Sequence, residues 1–132
     1  MKQEDKDLLL QDLCARLPYG VKIAINDKVE SLQGINILDN VAEYGSFLSS
    51  DIEEVKPYLF PLSSMTEEQR KEYESLCIKE TSECTDLYGI IFTKDYYYDT
   101  VESIDFLYKN HIDIRGLIPM GLAIDCTNLN IY

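Results

Sequence analysis

His111, Asp113 and Arg115 stand two apart in the run His111-Ile112-Asp113-Ile114-Arg115-Gly116, which brings a base, an acid and a cation into five positions. On an extended backbone the two-residue period would put all three on one face, with Ile112 and Ile114 on the other. Imidazole exchanges a proton near neutral pH, and a guanidinium holds carboxylate or phosphate, so this segment is the candidate for a small enzyme or ligand-binding domain. Residues two apart on a strand form a line, whereas catalysis needs groups converging on a pocket. The plainer reading keeps each residue local. Asp113 caps or pairs locally, Arg115 anchors a turn, and His111 ends the preceding helix, where a cation is favoured by the dipole.

Tyr96-Tyr97-Tyr98, between Asp95 and Asp99, is the second constellation. Three consecutive tyrosines cannot share a side on any regular backbone, so at least one is expected to be exposed as an interaction residue. No catalytic residue, metal ligand or cofactor follows from the remaining pattern. Phosphate-binding glycine loops, dinucleotide fingerprints, zinc-protease motifs, serine elbows and calcium loops are all missing. His111 is the only histidine, so a Ser-His-Asp or Cys-His pair would have to use it.

Several elements must position these residues. A helix runs from about Glu4 to Arg16, with Leu9, Leu10, Leu13, Cys14 and Leu17 at helical spacing, and Pro18 with Gly20 ends it. Three short strands follow at 21–25, 29–32 and 35–38, with Asn26-Asp27 and Gln33-Gly34 as turns, making an antiparallel meander. Val41 to Leu48 is a further strand, and Ser50-Asp51-Ile52-Glu53 opens a helical turn that Pro57 stops. The proline-bracketed stretch Lys56 to Leu62 is expected to pack as an extended cover.

Thr66-Glu67-Glu68-Gln69 is a capping box that opens a helix reaching about Glu80, with a thin buried stripe through Tyr73, Leu76 and Cys77. Leu87 to Thr93 reads as a buried strand. Asp99-Thr100-Val101-Glu102 caps a helix to about Asn110, with Val101, Ile104, Leu107 and Tyr108 facing in. The weakly charged stretch Gly116 to Ile124 is expected to lie under the core as a loop or short turn.

Twenty-four Asp and Glu against twelve Lys and Arg leave a net charge of −12 over 132 residues. A surface of this sign repels phosphate and anionic lipid, which argues against direct nucleic-acid or membrane binding and for a basic protein partner. The acids are interleaved with apolar residues and do not form a tail. Cys14, Cys77, Cys84 and Cys126 lack the short spacing of zinc or redox pairs. With a charged start instead of an apolar leader, they are expected as reduced thiols in a cytoplasm, Cys14 and Cys77 as small core residues.

Three strings, residues 12–22 (Asp-Leu-Cys-Ala-Arg-Leu-Pro-Tyr-Gly-Val-Lys), 55–68 (Val-Lys-Pro-Tyr-Leu-Phe-Pro-Leu-Ser-Ser-Met-Thr-Glu-Glu) and 111–123 (His-Ile-Asp-Ile-Arg-Gly-Leu-Ile-Pro-Met-Gly-Leu-Ala), resemble a family of small uncharacterised proteins of gut bacteria and their phages. The resemblance implies a bacterial cytoplasm and a mobile-element setting, with no activity attached. The expectation is one α+β globular domain over residues 1–132, with an antiparallel sheet of about four strands and three principal helices on one side. The expected role is a non-catalytic, acidic interaction or regulatory accessory protein; the alternative is the enzyme or ligand-binding domain built on His111, Asp113 and Arg115.

Overall fold

The computed structural model describes all 132 residues and has an α+β architecture: three α-helices, a mixed six-stranded sheet and a separate two-stranded sheet. It divides into a larger unit, residues 1–64 with 108–132, and a smaller one, residues 65–107.

In the larger unit, helix α1 (Gln3–Arg16) precedes the strands β1 (Lys22–Ile25), β2 (Lys28–Asn36), β3 (Val41–Tyr44), β4 (Leu48–Asp51) and β5 (Lys56–Leu59), with β8 (Ile124–Asp125) near the C-terminal end. The sheet order is β4-β3-β2-β1-β5-β8, antiparallel except for the parallel pair β5–β8. It therefore exceeds the four antiparallel strands expected. Two local effects account for most of the excess. Val41 to Leu48 is interrupted by a turn with Gly45 at φ 58° and Phe47 at φ 65°, so one expected strand becomes the hairpin β3–β4. Pro57 does not exclude its neighbours from the sheet: Ile23 pairs with Pro57 and Ala24 with Lys56, so the expected cover is an interior strand.

Asn26 and Asp27, with φ 49° and 63°, make the tight two-residue turn whose twist suits a β-hairpin. Gln33-Gly34 is not a turn. The register shifts between Leu32 and Gly34, so Gln33 is the extra residue of a β-bulge and β2 runs unbroken to Asn36.

The core of this unit joins Leu9 and Leu13 of α1 to Val21, Ile23, Leu32, Ala42, Ile52, Val55 and Leu59, with Leu117, Leu122 and Ala123 supplied by the apolar stretch near the C-terminus. That stretch is turn and loop as expected, but only Leu117, Leu122 and Ala123 are buried, and Pro119, Met120 and Gly121 between them are exposed. The buried stripe of α1 is Leu9, Asp12, Leu13 and Arg16. Cys14, expected in the core, is exposed, because one residue of helix rotation carries it past Leu13.

The smaller unit contains α2 (Glu67–Leu76), β6 (Ile78–Thr85), β7 (Ile91–Tyr98) and most of α3 (Val101–Lys109). Thr66 and Gln69 close a reciprocal capping box, with Gln69 N donating to Thr66 Oγ1 at 3.1 Å and Thr66 N to Gln69 Oε1 at 3.0 Å. Helix α2 stops at Leu76, four residues short of the expected end, and the chain from Ile78 pairs with β7 instead. Within the expected string, Thr100 caps α3: its Oγ1 accepts from Ser103 N at 3.1 Å, and its own N–H donates to Ser103 Oγ at 2.7 Å. Leu107 and Tyr108 are buried as expected, joined by Ser103 and Phe106, while Ile104 is half-buried and Val101 is exposed.

Candidate functional site

The segment 111–115 is not extended: His111 lies at φ 59°, Ile112 forms a single bridge with Phe60, and the chain turns through residues 114–116. Asp113 is buried, and its two carboxylate oxygens accept from Leu117 N and Ile118 N, each at 2.9 Å. Both acceptors are thereby used to hold the turn that places Leu117 in the core.

Arg115 donates from Nη2 to the Tyr108 hydroxyl at 3.0 Å, and its Nε faces Asp12 Oδ1 at 3.6 Å, an electrostatic contact longer than a hydrogen bond. Asp12 and Arg16 are fully buried side chains one helical turn apart. Arg16 Nε donates to Asp12 Oδ2 at 2.7 Å, and Nη2 donates to the Ile112 carbonyl at 2.6 Å. The Arg16 guanidinium also lies 5.1 Å from the centre of the Tyr108 ring. Arg16 is thus the hub that ties the C-terminal turn of α1 to the 108–115 segment. Burial pushes the Asp12 carboxyl above the usual carboxylate range, opposed by the hydrogen bond and charge of Arg16.

His111 stacks on Tyr132, with ring centres 3.7 Å apart and planes 11° from parallel. The Tyr132 hydroxyl accepts from Lys22 N at 2.9 Å and donates to the Tyr58 carbonyl at 2.8 Å. Burial, reinforced by the charge of Arg16, pushes the His111 pKa down to about 4. The imidazole is therefore neutral at physiological pH, which removes the helix-end cation role expected for it. His111 Nδ1 and Arg16 Nη1 make no hydrogen bond within the chain.

None of His111, Asp113 and Arg115 bonds to another of the three. Asp113 borders a shallow depression of about 340 Å³ between residues 61–63 and 113–119, which His111 and Arg115 do not line. The arrangement braces a turn. The two residues at its centre, Asp12 and Arg16, were not expected. The available signal was their spacing: positions 9, 12, 13 and 16 form one helical stripe once polarity is ignored.

The tyrosine run belongs to the hairpin β6–β7. Its register pairs Ile78 with Tyr98, Glu80 with Tyr96, Ser82 with Lys94 and Cys84 with Phe92 on one face. Lys79 with Tyr97, Thr81 with Asp95, Glu83 with Thr93 and Thr85 with Ile91 occupy the other. Tyr96 and Tyr98 therefore share a face and Tyr97 opposes them, as three consecutive strand residues must. All three are exposed, together with Ile78, Leu87, Tyr88, Ile90, Ile91 and Phe92. Leu87 to Thr93, expected to be buried, instead forms the tip and first residues of β7. A two-stranded ribbon has no partner sheet of its own, so an apolar run is not thereby covered.

The polar face is tied together by Lys79 Nζ to Asp95 at 3.4 Å and Thr81 Oγ1 to Asp95 at 2.7 Å. The Thr81 hydrogen bond, helped by Lys79, holds the Asp95 carboxyl below its ordinary range. On the other face the Lys94 ammonium lies 5.2 Å from the centre of the Tyr96 ring. At the tip, Asp86 Oδ1 accepts from Tyr88 N and Ile90 N at 2.8 and 2.9 Å, and Gly89 takes φ 79°. These bonds hold Leu87 and Tyr88 outward.

No three His, Cys, Asp or Glu side chains converge as metal ligands, and no helix is long and apolar enough to cross a membrane. Comparison with known proteins finds no matching family model, no matching curated protein and no matching solved structure.

Proposed function

We propose that the protein is a non-catalytic interaction protein whose working surface is the β6–β7 hairpin, acting on a basic protein partner in the bacterial or mobile-element setting that the sequence resemblance implies. The exposure of Ile78, Phe92, Tyr96 and Tyr98 on one face of the hairpin, with Lys94 between Phe92 and Tyr96 and with Leu87 and Tyr88 exposed at the tip, supports this reading. Large apolar and aromatic side chains gathered on one exposed face mark interaction sites. Tyrosine supplies both apolar area and a hydroxyl, which suits it to anchor an interface.

The charge of the chain adds selectivity. A net charge of −12 accelerates encounter with a cationic protein and disfavours acidic ones. The alternative enzyme reading draws no support from His111, Asp113 and Arg115, whose polar groups serve a stacking contact, a turn and a tyrosine.

Site-specific photo-crosslinking tests the proposal. With p-benzoylphenylalanine placed at Tyr98, illumination in the source cell should yield a discrete adduct with one protein, and the same probe at Tyr19 should not. Adducts from Tyr19 with none from Tyr98 would remove the hairpin as the working surface.

A further inference from the structure

A second surface lies on the larger unit, on the side of β2, β3 and β4 away from the core. Ala42 and Tyr44 of β3 are buried, so Val41 and Glu43 point outward, beside Asn36 and Gly34 of β2 and Ser49 of β4. A groove of about 730 Å³ follows β3 along this side, from Asn36 and Asp39 at one end to Phe47 at the other. Gly34 helps to shape this side, since a Cβ there would lie 3.1 Å from Glu43 Oε2.

The groove is charged on one sign only. From Val29 to Val55 the chain holds six acids and no Lys, Arg or His. Asp39 accepts from Asn36 Nδ2 at 3.0 Å, and Glu43 has no ion pair within the chain. Phe47 closes the end, fully exposed on a left-handed backbone that a bulky residue rarely adopts. Alongside runs β4, the outermost strand of the sheet, whose outer backbone groups face no other strand. The carboxylates do not form a metal site, because no three ligating side chains meet.

We propose that this groove binds an extended segment of a partner protein carrying Lys or Arg at alternate positions. The segment lies along β3, and its side chains on one face, about 7 Å apart, reach Glu43 and Phe47 at one end and Asp39 at the other. An aromatic ring with a carboxylate is a favourable seat for an ammonium or guanidinium. This site is independent of the hairpin, so the two readings fail separately.

The test is fluorescence anisotropy with a labelled heptapeptide alternating Lys and Val, against a matched Glu and Val peptide and free spermidine as competitor. The lysine peptide should bind and the glutamate peptide should not. Glu43→Gln and Phe47→Gly should each weaken binding by about three- to tenfold. Phe47→Gly should also melt no lower than the parent, since glycine suits φ 65°. Glu67→Gln on α2 and the hairpin variant Tyr96→Thr/Tyr98→Thr should leave binding unchanged. Absence of lysine-peptide binding, an equal loss with Glu67→Gln, or displacement by spermidine at the same concentration as unlabelled peptide would overturn the proposal.

Discussion

The two units handle their chemistry in opposite ways. The larger unit buries even charged side chains: Asp12 and Arg16 are fully inside, and each is held by a named partner. In the smaller unit, nine large apolar or aromatic side chains between Ile78 and Tyr98 remain exposed. The contrast is between packing that polar groups stabilise and a hairpin whose large apolar groups stay in solvent, the surface proposed above to meet a partner.

The largest expected effect breaks the scaffold. Arg16→Ala leaves Asp12 buried without its partner and frees the Ile112 carbonyl, and should lower stability by about 3–5 kcal/mol in denaturant unfolding. Since the loss of Arg16 raises the Asp12 pKa further, the folded variant holds that proton more tightly than the unfolded chain does. Its deficit should therefore shrink as pH falls toward the carboxylate range. The double change Asp12→Leu/Arg16→Met should cost less than Arg16→Ala alone. A smaller loss follows from Asp113→Asn, which keeps one acceptor for the two amides of Leu117 and Ile118: about 2 kcal/mol.

Next in size is a pH effect at His111. Its folded pKa of about 4 lies below the ordinary 6.5, so the unfolded chain takes up the proton first as pH falls. Stability should thus be unaffected by this group above pH 6.5 and decline between 6.5 and 4. His111→Asn, which tolerates φ 59°, should abolish that part of the decline in paired thermal melts from pH 7.5 to 4. A decline unchanged in the variant would assign it to carboxylates alone.

Much of the fold was legible because single residues carried unambiguous signals. Leucine spacing marked α1, Thr66 with Gln69 marked the start of α2, and Asn26-Asp27 marked the first hairpin. Ambiguity entered where one signal serves two structures: Gln33-Gly34 suits a turn or a bulge, and cross-strand pairing decided for the bulge. The exposed hairpin was illegible for a different reason. Leu87 to Thr93 has the composition of a buried strand, and composition does not record whether a second layer exists to cover it. For the candidate site, side-chain alternation implied that at least one tyrosine is exposed; all three are, because the two-stranded ribbon has no second layer. The Asp12–Arg16 hub was missed because polar residues were left out of the helix stripe, and the left-handed backbone at His111 has no local marker.

The smallest effect on stability carries the central claim, that the hairpin is surface and not core. Phe92→Thr/Tyr96→Thr/Tyr98→Thr keeps strand-forming side chains while removing the aromatic face. The decisive measurement is affinity capture from the source lysate at low salt with this variant beside the parent, each with its melting temperature recorded. The account predicts an unchanged melting temperature and loss of the protein retained by the parent. A clear fall in melting temperature with the same protein still retained would contradict it.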